Sequence, residues 1–264
     1  MALVHCDFYS NILKLSSSLC VILPDLPPTT VTKTKTSKTT NYKTLYLLHG
    51  LSDDHTMWQR RTSIERYATE LNLAVVMPAV NRSFYTDMVS GLRYWTYVSE
   101  EVPAVARSYF PLSAKREDNF VAGLSMGGYG ALKMALRCPE TFCAAGSFSG
   151  AVDIVNLFTL RKEHHSDFVN IFGNPDQVSG SDNDLYYLAK NLVNSGKPRP
   201  RVFQCCGTKD VLLHINRKFK SFAEDIGLDI TYEEGRAGHE WSYWDKKIQT
   251  FLEWLQLPNP TAGR

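Results

Sequence analysis

Short apolar runs recur along the chain, separated by segments in which apolar residues return every three or four positions. The runs are "LCVILP" (19–24), "TLYLLHG" (44–50), "LAVVMP" (73–78), "FVAGLS" (120–125), "CAAGSFSG" (143–150), "RVFQCCG" (201–207) and "LDITYEE" (228–234). Several are nearly continuous rather than alternating, the pattern of strands covered on both faces of a parallel sheet. The segments between them change to helical spacing. "SIERYATELN" puts Ile64, Tyr67, Ala68 and Leu71 on one face, and "GALKMALRCPE" runs helical until Pro139. "NRKFKSFAEDIG" and "WSYWDKKIQTFLEWLQL" are amphipathic, and the second closes the chain.

Strands and helices in alternation predict one α/β domain over residues 1–264, with a mostly parallel central sheet and helices on both faces. The first strands have no helix between them, which predicts an antiparallel N-terminal edge. The low-complexity stretch "TTVTKTKTSKTTNYK" (29–43) reads as a solvated loop between two strands. Residues 151–195 break the alternation with "EHHSD", "GNPD" and "GSDND". They read as a small cap-like insertion over the sheet, made of loops and short helices.

Composition narrows the partners. A net charge of +2 over 264 residues gives no electrostatic footprint for nucleic acid or an anionic membrane. No apolar run approaches the roughly 20 residues of a membrane-spanning helix. The N-terminus "MALVHCDFYSNILKLSSSLC" has neither a basic start nor a clean apolar stretch, so no signal peptide is expected. The six cysteines form no C-x-x-C pair, and buried free thiols in a reducing cytoplasm are the expectation, with no metal site.

The chemistry concentrates in "NFVAGLSMGGYGALKMAL", residues 119–136. Gly123-Leu-Ser125-Met-Gly127 fits G-x-S-x-G between a predicted strand and a predicted helix, the setting in which a serine is held at a sharp turn with its hydroxyl exposed. Gly123 and Gly127 are expected to touch across that turn, and Gly128 and Gly130 to let the helix pack close to neighbouring strands. A serine hydroxyl needs a base, and the base a carboxylate. In the chain order Ser, Asp or Glu, His, the candidate base is His239, on the glycine-bearing loop "GRAGHEW" after the last strand. His164 and His165 lie in the polar insertion and His214 at a helix start. Asp210 closes "RVFQCCGTKD" on the same sheet edge and is the candidate carboxylate, with a helix N-cap as its other reading. Asp176, Asp182 and Asp184 sit in the insertion, and Asp225 and Asp229 on the opposite edge. The N–H groups of Leu51 and Met126 are the candidate oxyanion donors, with Gly50 letting the first loop approach closely and His49 propping it. Trp58, Phe84, Tyr85, Trp95, Trp241, Tyr243 and Trp244 surround the expected rim, mostly as packing, with one or two walling an acyl pocket.

Together, "LYLLHGLSDDHTMW", "AVVMP", "FVAGLSMGGYGALKMAL", "FSG", "CGTKD" and "AGHEWSYW" resemble the esterase-D-like branch of the α/β hydrolases, and within it the tributyrin-type serine esterases of bacteria. The likeness runs from about residue 6 to 256. It implies an α/β-hydrolase fold, hydrolysis of short acyl esters without a cofactor, an insertion over the site, and homo-oligomers in many members. Carried over by position, it implies a triad of Ser125, Asp210 and His239, with Leu51 and Met126 as oxyanion donors. S-formylglutathione hydrolases, which act on a thioester, and feruloyl or acetyl-xylan esterases are relatives and give the alternative readings. The first usually carry a "DQGxAD"-like loop around the triad aspartate, from which "CGTKDVLLHIN" departs. Outside enzymes, the alternative is a binding module on a hydrolase scaffold. Such a module has no need for serine, histidine, aspartate and both elbow glycines together.

Overall fold

The computed structural model describes residues 1–24 and 41–257. Its centre is an eight-stranded sheet in the order β1-β2-β4-β3-β5-β6-β7-β8. The strands are β1 (Ala2–Ser10), β2 (Leu15–Leu23), β3 (Lys43–Leu48), β4 (Leu73–Pro78), β5 (Asn119–Leu124), β6 (Ala144–Phe148), β7 (Arg201–Gly207) and β8 (Ile230–Gly235). From β4 to β8 every neighbour is parallel. Those strands need crossovers, and the helical segments between the apolar runs supply them.

The antiparallel edge is made by β1 and β2, and β2 pairs with β4 rather than with β3. β3 instead lies parallel between β4 and β5. β1 is the strand that the apolar runs do not reveal. Its sequence "ALVHCDFYS" alternates between exposed and half-buried positions, as an edge strand with one wet face does. By contrast, β4 and β5 are buried at every residue.

Successive residues of β5 face opposite cores. Val121 joins one apolar cluster, and Phe120 and Ala122 the other. The second core is closed by α1 (Met57–Arg61), α2 (Ile64–Glu70) and the C-terminal helix, through Trp58, Ile64, Ala68, Ile248 and Phe251. The first is closed by α3 (Val102–Tyr109), α4 (Met126–Arg137) and the helices after β6. The six cysteines are free thiols, with Cys20, Cys205 and Cys206 buried.

Residues 151–195 are mostly helical: α5 (Ile154–Leu160), α6 (His165–Phe172), α7 (Pro175–Val178) and α8 (Leu185–Asn194). Polar residues there start helices. Asn174 and Gln177 form a reciprocal capping box, and the Asp184 carboxylate accepts from the Tyr186 and Tyr187 N–H groups. Two further helices are α9 (Leu213–Asp225) and α10 (Trp241–Trp254). The threonine- and lysine-rich stretch 29–43 falls mostly outside the described residues.

Candidate active site

At the end of β5 the backbone turns at Ser125, with φ 53° and ψ −117°, and enters α4 at Met126. A side chain at these angles is strained, and the surrounding contacts over-determine the position. The Ser125 N–H donates to the Phe148 carbonyl at 2.9 Å, and its own carbonyl accepts from Tyr129 and Ala151. The flanking glycines leave no room for a Cβ. One at Gly123 would lie 2.5 Å from the Gly127 backbone, and one at Gly127 would lie 2.4 Å from the Leu48 carbonyl oxygen. Gly128 packs against Ser147 and Gly150 at the neighbouring strand's end, as its sequence position predicts. Gly130 differs. It accommodates the Tyr85 ring rather than a strand, with 2.5 Å to a Cβ built there.

Two further loops on the same edge bring in His239 and Asp210. The His239 Nδ1–H donates to Asp210 Oδ2 at 2.9 Å, which leaves Nε2 free to act as a base. The Asp210 side chain is fully buried behind the imidazole. Burial alone would push its carboxyl up. The hydrogen bond and charge of His239, the Leu212 N–H and the Ser149 hydroxyl outweigh this and hold it below the usual carboxylate range. Asp210 is not the N-cap of α9, which is Leu212, although its Oδ1 accepts the Leu212 N–H at 2.8 Å. The other carboxylates considered do other work: Asp184 caps α8, and Asp182 pairs with Arg137. His214 is exposed on α9.

Ser125 and His239 line one cavity of about 470 Å³, together with Gly50 and Leu51. Among the described residues the Ser125 hydroxyl has no hydrogen bond to the imidazole, so the structure brings them to the same cavity without joining them. Met126 is the first residue of α4, so its N–H has no intrahelical partner. The loop that carries Leu51 is fixed by His49. Its ring accepts the Val80 N–H at Nε2 (3.1 Å) and donates from Nδ1 to the Gly50 carbonyl (2.8 Å). Burial holds this imidazole down at about 4, so it is neutral and structural. A Cβ at Gly50 would lie 2.7 Å from the Leu124 side chain and 2.9 Å from the Asp53 carboxylate.

Of the aromatics named from the sequence, Phe84, Trp241 and Trp244 line the cavity. Trp58 is core, donating to the Leu48 carbonyl at 2.9 Å, and Trp95 stacks under the Arg137 guanidinium. Trp244 packs edge-on against His239, with centroids 4.8 Å apart, and donates to the Ser149 hydroxyl at 3.1 Å. Ser149, at φ 48°, thereby buttresses both triad candidates behind the ring. Its only trace in the sequence is its place in "FSG" at the end of β6. Further lining residues that the sequence did not single out are Leu157, Arg161 and Phe168 from α5, α6 and their connection, with Arg82, Asp53 and Leu212. His164, set aside above as part of the polar insertion, lines the cavity too. Burial raises the Asp53 carboxyl, against the opposing pull of the Gly50 N–H.

A model of the family described as "Putative esterase" matches residues 25–255. The chain belongs to this esterase family. An acetyl esterase of Caldicellulosiruptor saccharolyticus is 34% identical over 263 residues, covering 97% of this chain and 98% of the relative. Among solved structures, the esterase is similar to the fluorophosphonate-binding serine hydrolase FphF of Staphylococcus aureus, with TM-score 0.88, 38% identity, and 96% and 98% of the two chains covered. It is also similar to the S-formylglutathione hydrolase FrmB of the same organism, with TM-score 0.85, 37% identity, and 96% and 98% covered. The protein is a carboxylic ester hydrolase with the α/β-hydrolase fold. Among the described residues no helix is long and apolar enough to cross a membrane, and no cluster of side chains could hold a metal ion.

Proposed function

We propose that the esterase hydrolyses short-chain acyl esters through an acyl-enzyme on Ser125, with His239 as base and Asp210 as its partner. The observation that carries this reading is the Asp210–His239 hydrogen bond at 2.9 Å, placed in the cavity into which the strained Ser125 turn opens. Ser125 attacks the ester carbonyl while His239 Nε2 takes its proton. Asp210 keeps the imidazole in the right tautomer and stabilises its charged form. The Leu51 and Met126 N–H groups hold the tetrahedral oxyanion, each worth about 10²–10³ in rate. The alcohol leaves, and water activated by His239 frees the acid. No cofactor enters this scheme.

Residues 1–264 form one domain in this reading, and 151–195 act as its cap. Leu157 and Phe168 from that segment line the cavity beyond Ser125 and limit the acyl chain. The enzyme acts on a small-molecule ester in the cytoplasm, and copies of the chain associate as a homo-oligomer. The test of the core of this reading is Ser125→Ala with phosphonate labelling. Turnover should vanish with the fold intact, and the wild type should be labelled at Ser125 alone. Label elsewhere, or activity within about tenfold of wild type, contradicts it. A second reading, thioester hydrolysis, is favoured by the likeness to S-formylglutathione hydrolase FrmB. Comparing kcat/KM on S-formylglutathione and on p-nitrophenyl acetate decides between the two.

A further inference from the structure

Lys133 lies on α4, about two turns past Ser125, and is completely buried. A buried lysine needs all its donors matched. Its Nζ donates to the Tyr85 carbonyl (3.1 Å), Thr86 Oγ1 (2.9 Å) and Asn183 Oδ1 (2.7 Å). The rings of Trp95 and Tyr129 face it at 5.0 and 5.6 Å. Three donors meeting three acceptors is the arrangement of the charged amine, since a neutral amine has one donor fewer. Burial, and then the nearby Arg137 charge, lower its pKa well below the usual lysine value, while the Asp87 and Asp182 charges and the three acceptors on Nζ work to keep the proton.

What this ammonium grips is a strained turn. Phe84 and Tyr85 are both left-handed, at φ 49° and 52°, a conformation that large side chains adopt only when their surroundings impose it. The turn reaches the site by two routes. The Phe84 ring lines the cavity and packs edge-on against Phe168, Phe172 and Tyr129. The Tyr85 ring lies on Gly130, and its hydroxyl donates at 2.9 Å to the His49 carbonyl, in the loop that runs on through Gly50 to Leu51. The third acceptor, Asn183, belongs to the 151–195 segment, so one cation ties body, turn and cap together.

We propose that Lys133 is a positioning residue for ester hydrolysis, its buried ammonium fixing the Phe84–Tyr85 turn and, through the Tyr85 hydroxyl, the Leu51 oxyanion donor. The role rests on the Ser125 reading given above. Lys133 touches no reacting atom. Its contribution is to hold a donor to within the fraction of an ångström on which the reaction rate depends.

The test uses two variants of the whole enzyme. Lys133→Met keeps the stem and removes the charge. Tyr85→Phe removes one hydroxyl and is the safer variant for folding. In both, at a temperature where circular dichroism shows the folded state, kcat on p-nitrophenyl acetate is expected to fall about 10- to 100-fold while KM stays within about threefold. The rate of Ser125 phosphonylation, which develops negative charge on a phosphoryl oxygen held by the same donors, should fall in parallel. A residue that served stability alone would lower the melting temperature and leave kcat and the phosphonylation rate at wild-type values. That result in Lys133→Met overturns the proposal, and so does wild-type kcat in Tyr85→Phe, whether or not Lys133→Met folds. Failure of the underlying reading looks different: the wild-type enzyme would be labelled at a residue other than Ser125, and the positioning role would fall with it.

Discussion

At the scale of single residues, two buried titratable side chains beside the cavity make opposite demands. Asp210 must stay charged to hold His239. Asp210→Asn keeps the shape but favours the wrong imidazole tautomer, so kcat should drop by about 10⁴ with little change in melting temperature, as a steady-state assay and a thermal melt would show. His49 must stay neutral. Its folded value, about 4, lies below the ordinary imidazole value of 6.5, so the folded state resists a proton that the unfolded chain accepts. Its contribution to stability is therefore complete above pH 6.5 and is lost as pH falls through the window down to 4. At about 1.4 kcal/mol per unit, that loss is about 3 kcal/mol. Urea midpoints should fall across this window and fall less in His49→Gln, whose amide oxygen keeps an acceptor for Val80. The candidates Ser125, Asp210 and His239 were legible because each sits just past an apolar run, where one sheet edge collects loop residues. Phe84 and Tyr85 were not. Left-handed backbone is signalled in sequence by glycine or asparagine, and here two aromatics are forced into it by contacts from Lys133 and Gly130 that come from distant parts of the chain.

At the scale of elements, local signals and tertiary ones had separate success. Nearly continuous apolar runs marked the buried strands, and Pro139 marked the end of α4, because those features act within a few residues. β1 escaped because an edge strand with a wet face carries no such run, and its partner β2 begins four residues before the apolar stretch "LCVILP". Within 151–195, read as loops with short helices, "GNPD" and "GSDND" are where two of those helices begin. Asp184 illustrates the difference between a capping and a catalytic carboxylate. Asp184→Ala should lower stability by about 1 kcal/mol, seen as a shift in urea midpoint, while kcat stays within about twofold of wild type. If Asp184→Ala instead removed activity with stability unchanged, the assignment of the carboxylate to the end of β7 would be wrong.

At the scale of the whole molecule, the cavity is bounded by the sheet edge below and by α5, α6 and their connection beside it. Each methylene that fits adds about 0.8 kcal/mol of burial, and a chain that outgrows the wall meets Leu157 and Phe168. Along a p-nitrophenyl ester series, kcat/KM should therefore rise from acetyl to butyryl and then fall steeply. A maximum at lipase-length chains would mean an open groove instead. The order of the sheet has one more consequence. Ser125 follows β5, while Asp210 and His239 follow β7 and β8, separated from β5 in the sheet by β6. No fragment of the chain short of β8 holds all three, and each parallel pairing closes a long loop before it gains any contact, which makes such strands slow to dock. Turnover is thus a clock for the completion of folding. On dilution from denaturant, far-ultraviolet circular dichroism should recover first, as the local helices form, and hydrolysis should return only when the last strand has found its edge.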